Sequence, residues 1–355
     1  MSSSRTTPKI SFNVAIELIP QETEGLRSAV KHDHEVATWK IAFLDDTRKH
    51  VDSQLIGPSF DLADVAAGLP NVKAAIDTLH PSTTLEKYHS AKVRVGVQGG
   101  ILGGETNLLA KKITTLVLVL ENRLFCKLVA LHNQVRLINE DSGVAIGPWP
   151  QGNVVSSDYY SHIPPMATMK PAIWNKLKLE TMYRKFSMIW SAPGLRELSE
   201  ILTAQAPRNG FCLHPPRELP LSVMPWGFEE TPQDPSPWWR ELEDIIPDWN
   251  SSKTQWDPEQ GHTYFYFTYL RSTLKHTLLH NWVEVIARVI QLAQAGPDEY
   301  KRCLETIFRI LYESDQGDDE ARMNAWEQLM KHVLKLEDRI PDWRDHISKR
   351  YLWRY

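Results

Sequence analysis

Apolar and polar residues begin to alternate at Ile10, where "ISFNVAIELI" sets β-formers at every second position and predicts a strand over Ile10–Leu18. A second strand is predicted in "TWKIAFL", Thr38–Leu44. After the turn-rich "DDTRKHVDS", a short edge-like strand is predicted in "QLIGPSF", stopped by Gly57 and Pro58. A helix over Asn71–Leu79 and a strand in "KVRVGV", Lys92–Val97, follow. The period then changes. Leu109, Ile113, Leu116, Leu120, Leu124, Leu128 and Leu131 step by threes and fours, which predicts one long helix over Thr106–Ile138.

From 141 to 261 the pattern fades among prolines, tryptophans and glycines, and only Pro171–Lys185 and Leu195–Gln205 read as helical. This stretch is expected to be a lid or a variable insertion. Alternation returns in "HTYFYFTYL", a strand over His262–Leu270. Helices are predicted at Leu278–Ala295, Asp298–Tyr312 and Asp319–Leu336. Strands grouped early, helices late and no βαβ alternation give an α+β class with a mainly antiparallel sheet and a helical C-terminus. Residues 1–8 read as a disordered tail and 9–355 as a single domain.

Composition narrows the function classes. The 355 residues are 42% hydrophobic and 24% charged, with a formal charge of −4. That balance lacks the basic excess of a nucleic-acid binder and suits a small-molecule partner. Cys126, Cys212 and Cys303 are far apart and form no CxxC pair, so neither zinc ligation nor a disulfide framework is indicated. The longest aliphatic run, Ile113–Leu120, is too short to span a bilayer. The expectation is a cytoplasmic protein with no membrane partner.

The stretch "KVRVGVQGGILGGET" invites a phosphate-loop reading. Gly99 and Gly104 have the G-x-x-x-x-G spacing, but the position that needs a lysine is Glu105, which repels phosphate. The glycines read instead as a tight strand-to-helix connection.

A wider pattern gives a different account. "NVAIE", "WKIAFLDDT", "QLIGPSF", "KVRVG", "YFYFT", the pair Thr273–Leu274 and the pair Trp282–Val283 occur in this order and spacing. In that order the chain resembles the amidoligase family, the carboxylate–amine ligases related to glutamine synthetase, and in particular its fungal members. The resemblance implies a curved, mainly antiparallel sheet with packed helices. It also implies ATP-dependent amide formation through an acyl phosphate, with magnesium held by acidic and histidine side chains on the sheet. For the fungal members it implies specialised metabolism and an amino-acid-like or carboxylate-bearing substrate.

Substitutions fall on the positions that carry the chemistry. Ala15 stands where the family has its first glutamate, and Glu17 keeps the second. Gln54 replaces a glutamate, Lys92 and Arg94 replace two histidines, and Tyr266 and Thr268 replace a glutamate and an arginine. Asp45 and Asp46 remain. Alternation puts Ala15 with Glu17, and Lys92 with Arg94, on one face of each strand. Protonated lysine and arginine cannot ligate magnesium, so these exchanges argue against magnesium held in the family manner.

Three readings follow. In the first, Lys92, Arg94 and Gln54 hold the phosphate of ATP or a carboxylate, and Glu17, Asp45 and Asp46 orient or exchange protons. In the second, the chain is an active ligase that draws its ligands from elsewhere. In the third, it is a pseudoenzyme that binds a metabolite or a protein.

Other residues invite weaker readings. "HDHE", His32–Glu35, lacks a third metal ligand and reads as a polar loop. His276 and His280, four apart, read as capping or surface residues. Glu121, which matches a family glutamate, is read either as a buried functional acid or as a surface partner of Arg123 or Lys127. Cys126 reads as a buried, inert thiol. The basic run Lys170–Lys185 reads as an exposed helical face.

Overall fold

In the computed structural model the described residues are 9–18, 40–44, 52–57, 59–79, 91–98, 104–129, 156–165, 179–203, 211–214, 262–270, 275–317, 320 and 324–352. Six strands form one antiparallel sheet: β1 (Lys9–Leu18), β2 (Lys40–Leu44), β3 (Asp52–Ile56), β4 (Ala91–Gln98), β5 (Phe211–His214) and β6 (His262–Phe267). Their order across the sheet is β2-β3-β1-β4-β6-β5. The α+β class and the antiparallel sheet agree with the sequence pattern.

Register follows from which side chains can be buried. Val14 stands opposite Val93, Phe12 opposite Val95 and Ile10 opposite Val97. Phe265 and Phe267 continue these rows on β6, and Phe211 and Leu213 continue them on β5. All of these side chains are buried. A slip by one residue would turn each of them to the other face.

Helix α3 (Gly104–Leu120) shares one hydrophobic core with this apolar face. It is buried nearly all round, which is why its hydrophobic stripe runs so wide. The predicted straight continuation to Ile138 is not what forms. A π turn at Glu121–Phe125 interrupts the helix before a last α-helical turn, Cys126–Leu128. Residues 130–138 lie outside the described residues.

Earlier in the chain lie α1 (Leu62–Ala66) and α2 (Pro70–Leu79), and after α3 come α4 (Ser157–His162), α5 (Leu179–Ser191) and α6 (Leu195–Thr203). Helix α1 is missed by periodicity because it is too short to show any. Its signature is local: Asp61 Oδ1 accepts from the backbone of Ala63 and Asp64, and Asp64 Oδ2 accepts in return from the Asp61 amide. The chain leaves α1 through Gly68 at φ +86°, a conformation glycine adopts at little cost. The stretch 141–261, expected to be an insertion, supplies α4, α5, α6 and the edge strand β5.

The outer layer is α7 (His276–Gln294), α8 (Pro297–Gln316), α9 (Ala325–Gln328) with a π turn at Leu329–Leu334, and α10 (Ile340–Leu352), which the sequence pattern did not reveal. Two adjacent lysines of α3 tie it to α5 and to the end of α7. Lys111 Nζ donates to Trp190 O at the C-terminal end of α5, 3.0 Å away, and Lys112 Nζ donates to Ala295 O, just past α7. Helix C-termini present carbonyls that welcome a cation. Burial pushes Lys112 down to about 8 despite Glu299 nearby.

His276 and His280 stack at the start of α7, with ring centroids 6.0 Å apart. His280 Nε2 lies 3.0 Å from Val65 O, so the pair holds α1 against α7. Burial first, then His280 and Lys73, lower His276 below its ordinary 6.5. The unfolded chain therefore binds this proton more readily. The associated stability is complete above pH 6.5 and is lost as pH falls through the lowered folded value. We expect urea midpoints to drop on acidification below that pH, and the drop to be smaller in His276→Gln. An equal pH slope in both proteins would contradict this account.

Phe265→Ala, on the apolar face, is expected to cost about 3–5 kcal/mol, read as a lower urea midpoint at unchanged slope.

Candidate functional site

The face of the sheet turned away from α3 has the opposite character. Asn13, Arg94, Tyr266 and Cys212 form one row across four strands, Asn13 opposite Arg94, Arg94 opposite Tyr266 and Tyr266 opposite Cys212. Lys92 stands opposite Ala15 in the next row, and Gly96 opposite Ser11 and Tyr264 in the row beyond. Each of these residues alternates with one of the buried apolar side chains, so the core on one side dictates the polar set on the other.

Arg94 is the centre of this face. Its guanidinium carbon sits 3.7 Å from the centre of the Tyr264 ring and 5.6 Å from that of Tyr266. Arginine stacks well on such rings because its charge is delocalised over a plane. The residue is only 7% exposed. Gly96 makes the stack fit, since a Cβ there would lie 2.8 Å from Ser11 Oγ and 3.1 Å from Tyr264 Cε1. The absent side chain lets the Tyr264 ring lie across the strand, under Arg94.

The neighbouring groups keep defined protonation states. Burial raises Tyr266, against the pull of Arg94, so its phenol stays neutral and able to donate. Burial pushes the Cys212 thiol up to about 12 against the pull of the Lys92 ammonium, which rules it out as a ready thiolate nucleophile. Asn13 Nδ2 donates to Gly57 O and so ties β1 to the chain beyond β3. Two cationic side chains at alternate positions on one face of β4, flanked by neutral donors, form a surface suited to carboxylate or phosphate oxygens.

The residues expected to act together are only partly brought together. Lys92 and Arg94 share the polar face of β4. Glu17 stands opposite Gln54 across the β1–β3 pair, one strand from Lys92 and Arg94. Asp45, Asp46, His32, His34 and Glu35 lie outside the described residues. Among the described residues no group of three or more histidine, cysteine, aspartate or glutamate side chains is placed to hold a metal ion.

Tyr264 and Asn13 join the site without having been singled out from the sequence. The alternation of "YFYFT" would have paired Tyr264 with Tyr266, but neither residue type announces an anion site by itself. Cys212 was not legible, because "FCLH" is too short to register as a strand inside a proline-rich stretch.

Glu121 is settled by burial. It is fully buried on the helical side of the sheet and accepts a 2.6 Å hydrogen bond from Tyr269 Oη. It is not an acid on the helix surface, and Arg123 pairs instead with Asp315 at 2.7 Å. Burial first, and then the Glu121 carboxylate, raise Tyr269 well above its ordinary range, so the phenol remains the donor.

We expect Gly96→Ala to lower stability by about 1 kcal/mol, because Ser11 can rotate away but the Tyr264 ring must tilt. Thermal unfolding measures this, and an unchanged melting temperature would show that the close approach is not needed.

No helix among the described residues is long and apolar enough to cross a membrane. The chain matches no family model, no curated protein and no solved structure.

Proposed function

We propose that the polar face of the sheet binds an amino-acid-like or carboxylate-bearing small molecule, or the phosphates of a nucleotide, through Lys92 and Arg94. In this reading the scaffold is a divergent amidoligase-like one, and its ATP-dependent amide-forming chemistry is altered or lost. The observation that carries the reading is the stacking of the buried Arg94 guanidinium on Tyr264, with Lys92 two residues away on the same face. A cation fixed in this way needs little reorganisation when it meets an anion, and that is the condition for strong electrostatic binding in a site shielded from water.

Each residue has a stated part. Arg94 presents a planar donor fork, Lys92 a mobile point charge, and Tyr266 a neutral hydroxyl. Glu17 and Gln54, at the far side of β1, are the groups available to orient an amine. Magnesium has poor prospects next to the two cations, because a divalent ion brought close to them would be repelled.

Thermal unfolding with ATP, with ATP and magnesium, and with neither separates the readings. A ligand at about a hundred times its dissociation constant adds roughly 2.7 kcal/mol, which is a shift of a few degrees. We expect ATP alone to raise the melting temperature, and Lys92→Ala and Arg94→Lys each to reduce that shift. A shift that requires magnesium would favour an active ligase. Shifts equal in wild type and both variants would remove the sheet face as the anion site.

A further inference from the structure

A second candidate site lies on the other side of the molecule's central helix. A cavity of about 490 Å³ opens between the first two turns of α3, the start of α4 and the C-terminal end of α5. Its walls include Asn107, Leu108, Lys111, Ser156, Asp158 and Trp190, and none of the residues of the polar sheet face. The volume falls within the range of small-molecule sites.

Lys111 is the unusual wall residue. It is only 7% exposed, yet its ammonium, with three donors, has a single hydrogen-bond acceptor among the described residues, Trp190 O at 3.0 Å. A buried ammonium with donors left over is costly unless something polar meets it. Burial lowers Lys111 below its ordinary value, Asp158 acts against this electrostatically, and among the described residues the two form no ion pair. Asn107 Oδ1 and Ser156 Oγ are buried beside the cavity and likewise have no hydrogen-bond partner among the described residues. Leu108, Ala192 and Pro193 add apolar surface. The walls thus offer a cation, an anion, two polar atoms with unmet capacity and an apolar patch.

We propose that this cavity binds a small zwitterion, a carboxylate that also carries an amino group, with the Lys111 ammonium taking the carboxylate and the Asp158 carboxylate taking the amine. The aliphatic remainder of such a molecule lies against Leu108 and Pro193. A plain carboxylate satisfies Lys111 alone, and a plain amine meets Asp158 but leaves Lys111 as it is. Matched opposite charges therefore select the molecule that carries both groups. The inference is independent of the sheet face, because the two sites share no residue.

The test uses saturation-transfer NMR on the full chain with three matched probes: L-leucine, 4-methylpentanoate, which lacks the amine, and 3-methylbutylamine, which lacks the carboxylate. L-Leucine is expected to give the strongest transfer. Lys111→Met should weaken both carboxylates by about tenfold or more, as loss of a charge-assisted hydrogen bond does. Because Lys111 is buried, Asp158→Asn at an exposed position is the companion variant, and it should bring L-leucine down to the level of 4-methylpentanoate. Any transfer that Lys92→Ala removes comes from the sheet face and is subtracted before the probes and variants are compared. The proposal is overturned by the absence of transfer from every probe, by equal transfer from L-leucine and 4-methylpentanoate in wild type, or by wild-type binding in Asp158→Asn.

Discussion

The alternation of β4 between β1 and β6 is the constraint on which the rest of the molecule depends. Val93, Val95 and Val97 are each wholly buried on one side of this strand, and Lys92, Arg94 and Gly96 take the intervening positions on the other. The two sets cannot be chosen separately. Burial of valines beneath α3 fixes the register, and the register then delivers two cations and a glycine to the polar face. Because β4 is central, its neighbours are aligned to the same phase, so Asn13, Tyr264, Tyr266 and Cys212 join that face without any interaction having to recruit them.

The second organising element is α3, which shares one hydrophobic core with the sheet and packs against α5, α6 and α7. A helix surrounded in this way has no solvated face for polar residues, yet it carries two adjacent lysines and two adjacent threonines. Each polar group that is satisfied holds a neighbour. Lys111 and Lys112 reach the C-terminal carbonyls of two different helices. Thr115 accepts from the indole of Trp190, and Tyr300 donates to the backbone of Lys112. Residues that are adjacent in sequence diverge by about 100° around the helix, which is how one dipeptide can serve two partners on different sides.

Much of the sheet was legible, because a period of two marks each strand and antiparallel neighbours share a face. The same rule pairs Lys92 with Arg94 and Ala15 with Glu17 from the sequence alone. What could not be read was whatever lacked periodicity: the five-residue helix α1, the four-residue strand β5, and the polar row that β5 completes with Cys212. The environment of Glu121 was equally opaque. Its spacing allowed a surface ion pair as readily as a buried acid, and only the arrival of Tyr269 from another part of the chain decides between them. Tyr264 became important for a reason no one-dimensional pattern holds, the space left by a glycine on the adjacent strand.

The π turn at Glu121–Phe125 has a consequence for what changes in length the chain can absorb. A π turn holds one residue more than the α-helix around it, and it acts as a phase shifter: every side chain beyond it is rotated by about 100° from where an unbroken helix would put it. Deleting one residue from this turn would restore ordinary helical hydrogen bonding and leave Cys126–Leu128 in the phase they already have, because the residue lost is the extra one that the wide turn holds. A single-residue deletion within α3 itself would instead turn every later side chain by about 100°. The turn is thus the point where this helix can lose a residue without losing its phase.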